Sequence, residues 1–107
     1  MRLNIIWLFL IIASLNCSAS RVIDNFNRDW RYESGDVAGA EHPDFNDSDW
    51  QHIGLPHSFS TPYFLSTDFY EGYGWYRKNF KVDKKELEGV LLLDFDGVFQ
   101  EAEIYVN

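Results

Sequence analysis

Two places in the chain hold side chains whose types and spacing could do chemistry. Asp94 and Asp96 are carboxylates two residues apart, and His57 heads a stretch carrying Tyr63, Phe64, Asp68, Tyr70 and Glu71. On a strand, residues two apart point to the same face, with Cα atoms about 6.5–7 Å apart. Such a pair could act as acid and nucleophile. The competing reading is structural: the pair stands beside Gly97, and Asp at the end of a strand makes turn and backbone hydrogen bonds. The structural reading is the better one. His57 could contact a ligand as donor or acceptor, or serve as a hydrogen-bonding loop residue. His42 and His52 lack partners at metal-ligand spacing, so no metal site and no cofactor are expected. The chain has no Gly-x-Ser-x-Gly, phosphate loop or dinucleotide fingerprint.

The elements that must position these residues read as strands. Residues 72–80, Gly-Tyr-Gly-Trp-Tyr-Arg-Lys-Asn-Phe, open on two glycines and then alternate, as a strand with one buried face does. Residues 28–33 alternate too, which puts Trp30 and Tyr32 on one face, and Ser34-Gly35-Asp36 ends that run as a turn. Residues 37–46 have no period and read as loop. Residues 44–50 are dense in Asp, Asn and Ser, which bond to nearby backbone. A single helical turn starting near Asn46 or Asp47 is expected, anchored by Trp50. Residues 51–55 read as a short strand stopped by Pro56. Residues 57–69 fit no period, and a long aromatic loop of this kind in a compact domain is more often functional than disordered. Asp83 could cap a short helical turn ended by Gly89. Residues 90–95 are mostly apolar, consistent with a strand buried on both faces, and residues 102–106 alternate again.

The totals fit this reading. The chain has 107 residues, 46% hydrophobic and 18% aromatic, which suits a globular domain. Aromatic residues favour strands, and they also form surfaces on which sugars stack. A net charge of −8 argues against nucleic acid as a partner, because phosphate binding needs clustered Lys and Arg.

Residues 1–20 have a charged start at Arg2, an unbroken apolar run over 5–13 and small residues at 17–20, the pattern of a secretory signal. The run is short for a membrane span, which needs about 20 apolar residues. The mature domain would then be residues 21–107, exported to the periplasm, the medium or the cell surface. Cys17, the one cysteine, leaves a lipid anchor open beside ordinary cleavage, and the mature domain has no disulfide. Asn46-Asp47-Ser48 matches a glycosylation acceptor, which in a bacterial protein normally carries no meaning.

About five strand candidates follow the signal, whereas a closed sandwich or jelly roll needs about seven or eight. Asn107 stands where a hairpin turn would begin. The sequence is therefore expected to be part of a longer sandwich, incomplete at its C-terminus, with residues 21–107 marginal or insoluble when expressed alone.

Four segments in order carry a resemblance. They are Phe26-Asn27-Arg28-Asp29-Trp30 leading to Gly35-Asp36; Asp44 to Trp50 leading to Leu55-Pro56-His57; Gly72 to Phe80; and Leu93-Asp94-Phe95-Asp96-Gly97-Val98 leading to Ala102-Glu103-Ile104-Tyr105-Val106-Asn107. Together they resemble the N-terminal sugar-binding domain of glycoside hydrolase family 2, which holds β-galactosidases, β-glucuronidases and β-mannosidases. The Leu-Pro-His stretch and the Gly-Trp-Tyr-Arg-Lys strand look most like the bacterial β-galactosidase branch. The resemblance implies an all-β, jelly-roll β-sandwich at the front of a larger retaining enzyme. Its two catalytic glutamates, about 5–5.5 Å apart, would lie in a barrel domain outside this chain. It also implies that loops of this domain reach the rim of the active site. His57, Tyr63, Asp68 and Tyr70 are then the candidate contacts to a carbohydrate substrate, with packing against neighbouring domains as the alternative for the aromatic ones. A free-standing carbohydrate-binding module and a purely structural sandwich are the competing functions. The sequence leaves the sugar, its linkage and the oligomeric state open.

Overall fold

A computed structural model describes residues 20–59 and 70–107. The expected signal, Cys17, Tyr63 and Asp68 lie outside the described residues. Alternation of bulky and polar residues in Trp30–Ser34 makes β1, the central strand. Gln51–Ile53 forms β2 and Gly74–Arg77 forms β3. Both pair antiparallel with β1, in the order β2-β1-β3. Tyr32 stands opposite Gln51 on one side and Tyr76 on the other. The described residues contain no α-helix; a 3-10 helix spans Glu86–Glu88. No helix among them is long and apolar enough to cross a membrane.

The sheet ends where the backbone turns away. Asp29 sits at φ +61°, in the left-handed region that Asp tolerates better than most residues. That kink starts β1 at Trp30, so the pairing of β3 stops at Arg77, opposite Arg31. The strand expected over 72–80 is thus shortened to four residues, and that expected over 51–55 to three. At the other end Gly35, at φ +101°, turns the chain out of β1 while its N–H donates to Tyr73 O at 2.8 Å.

The core is small. Tyr32, Ala40 and Trp50 are its buried apolar residues, at 6%, 1% and 8% exposure. Where a helical turn is expected near Asn46, the chain makes a hydrogen-bonded turn and no helix, with Ser48 N–H donating to Asn46 Oδ1 and Trp50 N–H to Asp47 O. Trp50 is the buried anchor of that turn, its ring 5.5 Å from that of Phe45.

Three expectations are corrected. Residues 90–95 are not a strand buried on both faces: they have no regular structure and are exposed, with Val90 at 84% and Leu92 at 77%. Residues 102–106 form no strand either, although Tyr105 stacks on Trp75 at 6.1 Å and Asn107 Nδ2 donates to Glu41 O. A strand needs a neighbour for its N–H and C=O groups, and no described residue supplies one to these stretches. Asp83 does not cap the 3-10 helix through its side chain. The bond runs the other way: Asp83 N–H donates to Glu86 Oε2, and the Asp83 carbonyl accepts from Glu86 and Leu87.

Candidate functional site

Pairing and alternation put Tyr32, Tyr76 and Gly74 on one face of the sheet. The chain entering from the cis Leu55-Pro56 bond lays His57 and Phe59 over that face. The Tyr32 ring lies 4.6 Å from His57, 5.0 Å from Tyr76 and 5.7 Å from Phe59. Phe59 in turn meets Tyr70 at 6.0 Å and stacks on Tyr76 at 6.1 Å. The cluster closes so tightly because residue 74 is glycine. A Cβ there would stand 2.3 Å from Phe59 Cε1 and 3.0 Å from Tyr32 Cε2.

The polar atoms of the cluster are specific. His57 Nδ1 and the Tyr76 hydroxyl are hydrogen-bonded at 2.8 Å. Tyr70 donates its hydroxyl to Tyr73 O at 2.8 Å. The buried Tyr32 hydroxyl has no partner among the described residues. Burial pushes the Tyr76 phenol up to about 12, with Tyr32 adding to it. Burial also raises Tyr32, helped by Tyr70 and Glu33, and lowers His57. At neutral pH the phenols keep their protons and the imidazole is uncharged. The cluster therefore offers aromatic faces, hydroxyls and one neutral imidazole. Among the described residues no carboxylate is hydrogen-bonded to a ring of the cluster.

The opposite side of β3 is built for structure. Arg77 Nε donates to Asp47 Oδ2 at 2.9 Å, with both side chains largely buried. Its other nitrogens donate to the carbonyls of Ala40, His42 and Phe45, and the guanidinium lies 5.4 Å from the Phe45 ring. One side chain thus clips the loop over residues 40–47 to the sheet. Lys78 donates to Arg28 O and sits 4.7 Å from the Phe26 ring centroid. Asp94 and Asp96 are both exposed and lie outside any strand. Among the described residues no group of three His, Cys, Asp or Glu is placed to hold a metal ion.

Of the four contacts expected from sequence, His57 and Tyr70 are linked through Tyr76 and Phe59, while Tyr63 and Asp68 lie outside the described residues. Sequence reasoning missed Tyr76 as the partner of His57. The only signal was that Tyr32 and Tyr76 each hold an inward place in an alternating strand. It missed the role of Arg77 altogether, since a polar residue in an alternating strand gives no sign of what it binds.

Comparison with known proteins gives one consistent answer. A β-galactosidase of Bacteroides ovatus is 34% identical over 85% of this chain and 12% of its own length. A β-galactosidase of Thermoanaerobacter pseudethanolicus is 39% identical over 81% of this chain and 12% of its own. A β-glucuronidase of Formosa agariphila is 32% identical over 84% and 10%. The chain is related to one stretch of β-galactosidases and β-glucuronidases. It spans only about a tenth to an eighth of the length of these curated relatives. No family model matches the chain, and no solved structure matches it. The aromatic cluster and the Arg77 clip thus belong to a chain related to one stretch of these glycosidases.

Proposed function

We propose that this chain is the N-terminal part of the sugar-binding domain of an exported family 2 glycoside hydrolase, one that removes terminal β-linked sugars and is β-galactosidase-like. The observation that carries this reading is the 34% and 39% identity to two β-galactosidases over more than four-fifths of the chain. The domain would be a jelly-roll β-sandwich of which β2-β1-β3 would be a part, with residues 90–95 and 102–106, unpaired among the described residues, taking up strand pairing with other parts of the protein. Hydrolysis with retention would be done by two glutamates of a barrel domain that this chain does not include. The aromatic face would contribute at the rim, and His57, Tyr63, Asp68 and Tyr70 are the candidate contacts to the terminal sugar. The charged and apolar start of the sequence supports export, with Cys17 as a candidate lipid-bearing residue.

The test is hydrolysis by the full-length protein of 4-nitrophenyl β-galactoside, β-glucuronide and β-mannoside, with the first-formed anomer read by NMR. The β-galactoside is expected to be cleaved, with the β-anomer appearing first. Sugar binding without cleavage of any of the three would make the protein a carbohydrate-binding module instead.

A further inference from the structure

The 2.8 Å contact between His57 Nδ1 and the Tyr76 hydroxyl joins a loop residue to the rigid central sheet. Two arrangements are available to it. Either the phenol donates to Nδ1, or an Nδ1–H donates to the phenol oxygen. A hydrogen bond is strongest where the more acidic hydrogen meets the more basic lone pair. A phenol is a better donor than a neutral imidazole, and an imidazole nitrogen is a better acceptor than a phenol oxygen. The groups packed against His57 leave that preference undisturbed. From β1 it meets the ring of Tyr32, and from β3 that of Tyr76. Arg77 is turned to Asp47 and the loop carbonyls. No carboxylate or cation is bonded to the imidazole among the described residues.

We infer that Tyr76 is the positioning residue of His57: its hydroxyl donates to Nδ1, fixes the ring and keeps the hydrogen on Nε2, so that His57 presents an N–H donor to a sugar oxygen. The assignment rests on the proposed function for the existence of that sugar contact. It goes beyond it by giving the imidazole one polarity, a donor, and by giving Tyr76 a role that the core packing of its ring does not require. Orientation by a second residue bonded to the other ring nitrogen is the usual way a histidine is held to one tautomer.

Two measurements on the full-length protein test it. The first is nitrogen NMR of protein labelled with ¹⁵N-histidine, with the His57 signals identified by their loss in His57→Gln. The expected pattern above pH 7 is an unprotonated Nδ1 and a protonated Nε2; the reverse pattern overturns the inference, and this readout does not depend on any Tyr76 variant folding. The second is kinetics on whichever nitrophenyl glycoside the protein cleaves. Tyr76→Phe keeps the ring and removes the donor. It is expected to raise KM roughly five-fold with kcat unchanged, the signature of a contact made equally in ground and transition states. If His57→Gln raises KM and Tyr76→Phe does not, His57 meets the sugar unaided and the inference falls while the proposed contact stands. If His57→Gln leaves KM unchanged, the contact itself falls and the inference with it.

Discussion

Residues 30–77 and residues 90–106 are both rich in apolar side chains, and they end in opposite states. In the first, Tyr32, Ala40 and Trp50 are buried and each strand has a partner. In the second, Val90, Leu92, Phe99 and Val106 are more than two-thirds exposed and no backbone pairing forms. Apolar content does not separate the two regions. The difference is the availability of polar clips and a neighbouring edge. Arg77 satisfies four acceptors with one side chain and holds a loop over the sheet. Among the described residues nothing comparable reaches residues 90–99. A run of apolar residues becomes a strand only when something takes up its backbone hydrogen bonds.

The comparison can be broken most severely at the clip. Arg77→Met would leave the largely buried Asp47 carboxylate unpaired, at a cost of about 3–5 kcal/mol. Amide exchange of β1 and β3 in the full-length protein should quicken accordingly, while Glu101→Met, at an exposed position of the second region, should leave it unchanged. Equal effects from the two substitutions would remove the contrast between the regions.

A smaller loss is expected from Gly74→Ala. The new methyl would meet Phe59 at 2.3 Å, and the overpacking should cost about 1–3 kcal/mol. Phe59→Ala in the same protein should recover part of that loss by opening the space. Additive losses in the double variant would show that the glycine is not there for the approach of Phe59.

The smallest effect concerns pH. Burial places the folded pKa of His57 below its unfolded value of about 6.5. The folded state therefore binds the proton less readily than the unfolded chain. The stability that this neutral imidazole contributes is fully present above about pH 6.5 and is lost as pH falls through the lower folded value. Exchange of β1 and β3 amides, corrected for intrinsic rates, should quicken over that window. His57→Gln should flatten the dependence.

Much of the sheet was legible in the sequence, because alternation is a local signal. Trp30 and Tyr32 announce β1, Gly74 to Arg77 announce β3, and the Asp-Asn-Ser cluster before Trp50 announces its turn. Boundaries were not legible: β3 stops at Arg77 because Asp29 bends β1 away, and that depends on a residue 48 positions earlier. The fate of residues 90–95 was also hidden, since periodicity describes which side chains suit burial and is silent on what covers them. Of the candidate site, His57 and Tyr70 were named from residue type. Their partners Tyr76, Phe59 and Tyr32 were not, because cross-strand register brings Tyr32 and Tyr76 together and the chain after Pro56 lays Phe59 over them.

The proposed domain is tested most directly by amide exchange at residues 91–95 and 102–106 in the full-length natural protein. If they are strands of a sandwich completed beyond this chain, their amides should exchange as slowly as those of β1. Exchange at the rate of an unstructured peptide, with β1 still protected, would contradict the account, because the two apolar stretches would then have no partner in the whole protein.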